Sequence, residues 1–159
     1  MRWDLVDKFE VLQKGRRACA RKSFSGREDF FSEHHPGKPV MPEPFFIEMI
    51  AQTGGVVFGL GFDFKKEVIL AKIESARFFT PVSPPCAFQI EALIEEEREE
   101  GAWISGTVNQ KGAKVAQARI LLVAVDSLSG HPGGRIVFSE HFLKQYQIYE
   151  IAKASEILT

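Results

Sequence analysis

Hydrophobic and polar positions along this chain fall into two periods, and the change between them marks the main elements. Leu5 to Gln13 and Arg17 to Phe24 read as two short strands joined by a Lys14-Gly15-Arg16 turn. In the second strand Ala18, Ala20 and Phe24 fall on one side, and Arg17, Arg21 and Ser23 on the other. A polar stretch and a loop around His34 follow. From about Pro44 the period becomes helical: Ile47, Ile50, Ala51, Gly54 and Phe58 recur at helix spacing. Proline is tolerated in a first turn, where its missing N–H has no helical partner anyway. Gly54 and Gly55 cost helix propensity, so they are expected to mark places where other backbone packs closely on the helix.

After this helix the period returns to two. Val68 to Phe78 reads as a strand, Thr80 to Pro85 breaks it, and another strand begins near Ala87, with Phe88, Ile90, Ala92 and Ile94 on its buried face. Glu99-Glu100-Gly101 is a turn. Ala102 to Gln110 and Lys114 to Val125 complete an antiparallel meander through Lys111-Gly112. The expected class is α+β, with one long central helix and about five or six strands. Residues 127–135, rich in glycine, read as a linker, and Ser139 to Leu158 as an amphipathic helix covering a sheet face or a subunit edge. The expected division is residues 1–126 as one domain and 127–159 as linker and C-terminal helix.

Composition changes little. The 159 residues are 45% hydrophobic and 26% charged, with a formal net charge of −1, so no global charge favours nucleic acid or anionic membrane. Residues 44–62 carry only one charged side chain, Glu48, but also four glycines, Gln52 and Thr53, which suits a buried helix better than a membrane span. The N-terminus lacks the apolar core of a signal peptide. Cys19 and Cys86 lie outside any metal-type spacing, so the expectation is a cytoplasmic protein with two free thiols and no metal site. His131 and His141 have no clustered partners of metal spacing and read as surface residues. No phosphate, flavin or nicotinamide motif is present, so no cofactor is implied. The acidic run from Glu95 to Glu100 reads as a solvated hairpin end.

The chemistry concentrates in His34-His35-Pro36-Gly37-Lys38-Pro39-Val40-Met41-Pro42 and the carboxylate that follows it, Glu48. Histidine exchanges protons near neutral pH, and a carboxyl group inside an apolar helix is costly unless paired or used. Together they make a candidate acid/base pair. The plain reading of Glu48 is an ordinary carboxylate on the polar side of its helix, with Gln52 one turn on. Periodicity does not choose between His34 and His35.

The segment from Phe31 to Pro42, followed by Ile47-Glu48-Met49-Ile50-Ala51-Gln52, resembles the signature of the 3-hydroxyacyl-[acyl-carrier-protein] dehydratases of fatty-acid synthesis, a hotdog-fold family. Ala76-Arg77-Phe78 and Pro81-Val82 extend the resemblance, which covers roughly residues 5–125. It implies an antiparallel sheet wrapped around the central helix, and a hydro-lyase that converts a 3-hydroxyacyl thioester into a trans-2-enoyl thioester. By position it implies His34 as the catalytic histidine and Glu48 as the catalytic acid, while His35 stands where the family usually has an aromatic or apolar residue. Such enzymes are homodimers or assemblies of dimers in which the histidine of one subunit faces the acid of the other across an acyl tunnel. Met41, Phe45, Phe46 and Gln52 are the expected tunnel residues.

Glu43 stands where the family usually has a glycine whose backbone N–H stabilises the thioester oxyanion. The N–H is retained, and the added carboxylate is expected to point to solvent at the helix N-terminus. The implied partner is acyl carrier protein, with Lys14, Arg16, Arg17, Lys65 and Lys66 as candidate docking residues. Other hotdog activities, thioesterase or enoyl isomerase, and a non-catalytic acyl-binding subunit remain open alternatives.

Overall fold

A computed structural model describes residues 4–126 and 136–158. Strands β1 (Lys8–Gln13) and β2 (Arg17–Phe24) form a hairpin and are followed by a short helix α1 (Asp29–His34) and the long helix α2 (Glu43–Leu60). Strands β3 (Glu67–Phe78), β4 (Cys86–Arg98), β5 (Gly101–Gln110) and β6 (Ala113–Val125) come next, then α3 (Glu140–Gln145), α4 (Ile148–Ser155) and a final 3-10 turn, Glu156–Leu158. All pairings are antiparallel, in the order β1-β2-β4-β5-β6-β3. The sheet wraps around α2, which touches five of its strands, and this is the hotdog arrangement.

Alternation along the strands explains the wrapping. Ile90 and Ala92 of β4, Ile104 and Val108 of β5, and Ile120 and Leu122 of β6 are buried on the face toward α2, with polar or half-buried residues between them. In return α2 is buried nearly all round from Met49 to Leu60. Gly54 and Gly55 are close-approach positions, but side chains rather than backbone fill the space. A Cβ on Gly54 would lie 2.8 Å from the Ile104 side chain, and one on Gly55 would lie 2.9 Å from the Phe138 ring. The tightest contacts are elsewhere, where Gly59 meets Phe64 and where Gly106 of β5 receives Ile50 of the helix. Gly106 lets sheet and helix approach at the centre of the core.

Two expectations need correction. His34 does not sit in a loop: it is the last residue of α1, a short helix that the polar spacing of residues 25–35 hid. The C-terminal segment is not one helix either. Gln147, with φ 51° and ψ 44°, separates α3 from α4. Tyr146 and Ile148 are both buried, and residues two apart point to opposite sides of a continuous helix, so the chain must turn between them. The expected linker, residues 127–135 with His131, lies outside the described residues.

Candidate active site

Helix α1 is held by aromatic packing. Phe31 is buried, Phe30 and Phe31 both meet Phe24 of β2, and Phe30 packs edge-to-face on Phe45 of α2, with centroids 4.8 Å apart. This fixes the end of α1, where His34 is exposed with its ring 4.3 Å from that of His35. The next residues turn sharply: Lys38 N–H donates to the His35 carbonyl at 3.1 Å across Pro36-Gly37, and Gly37 has φ 80°. Proline followed by a residue of positive φ is the pattern of a type II turn, which glycine alone adopts without strain. Met41 N–H then donates to the Val82 carbonyl at 2.7 Å, tying the segment to the loop after β3. Pro42 caps α2, and Pro44 lies in its first turn.

Glu48 is half-buried on α2, and its Oε1 accepts a hydrogen bond from Gln52 Nε2 at 2.9 Å. Gln52 Oε1 in turn accepts from Leu5 N–H at 3.0 Å, so the N-terminal segment holds the amide that holds the acid. Both side chains face a cleft of about 500 Å³, together with Ala51 and with Val68 and Leu70 of β3. Among the expected tunnel residues only Gln52 lines this cleft. Met41 and Phe46 are buried in the core, Phe46 against Phe78 and Phe88, while Phe45 supports α1. Glu43 is the exposed first residue of α2, and its N–H is one of the first-turn donors that no carbonyl within the helix can satisfy.

His34 does not line the Glu48 cleft, and among the described residues no hydrogen bond or ion pair joins the two. Sequence reasoning missed other cleft residues: Asp4, and the segment from Ile136 to Ser139 with Phe142. Asp4 and the segment from Ile136 to Ser139 carried no periodic signal, because they reach the cleft from the two ends of the chain.

Cys19 and Cys86 are buried and free. Burial pushes both thiols up, Cys86 to about 11, with the Glu28 carboxylate adding to the effect there. Raised in this way, both thiols are mainly in the protonated, weakly nucleophilic form at neutral pH. Glu28, which receives N–H groups of Ser25 and Gly26 just before α1, is held below the usual carboxylate range: partial burial opposes the shift, and those hydrogen bonds outweigh it. Among the described residues no helix is long and apolar enough to cross a membrane.

The family model of the FabA-like domain matches residues 2–119. The chain is 33% identical over 122 residues to a 3-hydroxyacyl-[acyl-carrier-protein] dehydratase FabZ of Clostridium acetobutylicum, covering 76% of this chain and 86% of the relative. It is 35% identical over 121 residues to that of Syntrophotalea carbinolica, covering 75% and 82%. Among solved structures it resembles the dehydratase heterocomplex ApeI:P from Xenorhabdus doucetiae, with TM-score 0.61, 15% identity, and 76% of this chain and 82% of that one covered. At that identity the structural likeness speaks for the fold. The sequence likeness spans both the His34 turn and Glu48 and stops before the C-terminal helices, and by it the chain belongs to the FabA-like domain family.

Proposed function

We propose that this protein is a 3-hydroxyacyl-[acyl-carrier-protein] dehydratase, a hydro-lyase of fatty-acid biosynthesis that works without a cofactor. The observation that carries this reading is the placement of Glu48: a half-buried carboxylate in the second turn of the most buried helix, oriented by Gln52 and facing a cleft that Ala51, Val68, Leu70 and Phe138 help to line. Identity of 33–35% to FabZ enzymes over three quarters of the chain supports it.

In the reaction His34 takes the proton from C2 of the 3-hydroxyacyl thioester. The electrons of that C–H bond form the C2–C3 double bond, and the 3-hydroxyl leaves as water with a proton from the Glu48 carboxyl group. Transfer of the proton from His34 back to Glu48 resets the pair. Charge that develops on the thioester oxygen is met by N–H groups at the start of α2, including that of Glu43.

His34 and Glu48 belong to different subunits of a homodimer in this reading. Among the described residues no hydrogen bond or ion pair joins them within one chain, and strand β3 offers an outer edge with exposed Leu70 and Ile73 for a second copy. Acyl carrier protein delivers the substrate, and Lys14, Arg16, Arg17, Lys65 and Lys66 are the basic residues available to receive its acidic surface. The cytoplasm is the compartment that suits two free thiols and this substrate.

The test mixes inactive His34→Ala protein with inactive Glu48→Gln protein and follows hydration of an enoyl thioester. Subunit exchange should restore part of the activity, because some heterodimers hold one intact site. No recovery despite proven exchange would break the shared-site assignment. Hydrolysis of the thioester, or binding without turnover by the wild-type protein, would replace a dehydratase by a thioesterase or an acyl-binding subunit.

A further inference from the structure

Resting on the dehydratase reading, we propose that the C-terminal segment from Ile136 to Phe142, outside the part of the chain that matches the family, is the end wall of the acyl cleft, and that Phe138 restricts the enzyme to short and medium acyl chains.

Three observations meet here. The cleft at Glu48 is lined on one side by α2 and β3 and on the other by Ile136, Val137, Phe138, Ser139 and Phe142. Along α2 the residues facing it are Glu48, Ala51 and Gln52, and the next position on that stripe, one turn on, is Gly55. Gly55 has no side chain, and the space a Cβ would occupy there is taken by the ring of Phe138, which closes the stripe.

Phe138 is firmly seated. It is 5% exposed, its ring meets those of Phe64 and Phe142 at 5.8 Å and 5.2 Å, and Ser139 begins α3 by accepting the N–H of Phe142 at 3.2 Å. The segment leading to it is tethered by a buried carboxylate. Glu67, 6% exposed at the start of β3, accepts the N–H groups of Ile136 at 2.6 Å and Val137 at 3.1 Å. A buried carboxylate satisfied by two backbone donors is a rigid anchor, because releasing either donor leaves charge unpaired. The wall is therefore a fixed part of the folded chain.

The separation sets the length. Gly55 lies seven helical steps beyond Glu48, about 10 Å along a helix. About eight carbons of extended chain span that distance at ordinary C–C bond lengths, and because Glu48 serves the hydroxyl on C3, the limit counted from the thioester carbonyl is about eleven carbons. A longer chain entering beside Glu48 would meet the Phe138 ring.

The experiment measures kcat/KM for 3-hydroxyacyl thioesters of four to sixteen carbons. In parallel, calorimetry follows binding of acyl amides of the same lengths, in which N–H replaces the thioester sulfur. The wild-type protein should fall off steeply beyond about eleven carbons. Phe138→Ala should raise the ratio of sixteen-carbon to four-carbon kcat/KM by about tenfold or more, the scale of discrimination by a few methylenes in an apolar pocket. The amides should show the same shift. Should Phe138→Ala fail to fold, Phe138→Leu, which shortens the side chain but keeps it apolar, decides by the same ratio. Equal use of sixteen and four carbons by the wild-type protein, or an unchanged ratio in a folded variant, overturns the wall. Absence of turnover with a length limit in amide binding that shifts in Phe138→Ala would break the dehydratase reading and leave the wall standing.

Discussion

The two edges of the sheet are treated in opposite ways. At β1 the outer edge is covered by the C-terminal segment: α4 packs along the strand, and Leu12 N–H donates to the buried Ser155 hydroxyl at 3.0 Å, which itself donates to the Ile151 carbonyl. At β3 the strand runs beyond the core. Residues 70–75 are all exposed, and Leu70 and Ile73 are 38% and 47% accessible. An uncovered strand edge invites pairing with another chain, and proteins that stay monomeric usually blunt such edges. Here one edge is sealed by the chain's own tail, while the other keeps large apolar residues in solvent. For the proposed dimer the difference leaves one edge for a second copy to pair with, the edge beside the Glu48 cleft, since Val68 and Leu70 of β3 line that cleft.

The strongest way to break this comparison is at β3. Ile73→Arg should convert the proposed dimer to monomer in sedimentation and lower the dehydration rate by about a hundredfold or more, the scale of losing one member of an acid/base pair. A dimeric, active Ile73→Arg protein would remove β3 from the interface.

At β1 the expected effect is thermodynamic. Ser155→Ala leaves the buried Leu12 N–H without its acceptor and should reduce unfolding stability by about 1–3 kcal/mol. Denaturant unfolding measures it, and the dimer should persist. Dissociation of the Ser155→Ala dimer would mean that the two edges do not have separate roles.

The smallest effect sharpens the view of the sealed side. Cys19 of β2 and Cys86 of β4 lie in that half of the sheet, and their thiols stay protonated at neutral pH because burial raises them. A maleimide reagent should label neither in the native protein at pH 7 and both after unfolding. Rapid native labelling would show that the β1 side opens readily.

Much of the molecule was legible along the chain. Period-two alternation located the strands, since one face of each is buried, and the apolar stretch from Pro44 located α2. The resemblance of the His34 segment selected the chemistry where periodicity left two histidines open. Helix α1 escaped because its six residues place only Phe30 and Phe31 against the core, too short a stretch for a helical period to show. The break at Gln147 escaped because Tyr146 and Ile148 face different surroundings, which a single amphipathic pattern does not encode.

The sequence by itself determined the α+β class, the helix that carries Glu48, the rigid Pro36-Gly37 turn after His34 and the family. Those rest on local spacing and backbone preference, which are properties of neighbouring residues. Only the tertiary structure decided that Gly106 rather than Gly54 marks a tightest approach of sheet to helix, that Gln52 joins Glu48 to Leu5, and that Phe138 fills the space above Gly55. Each depends on residues tens of positions apart meeting in the folded chain, where the shape left by one side chain is filled by another that no local pattern connects to it.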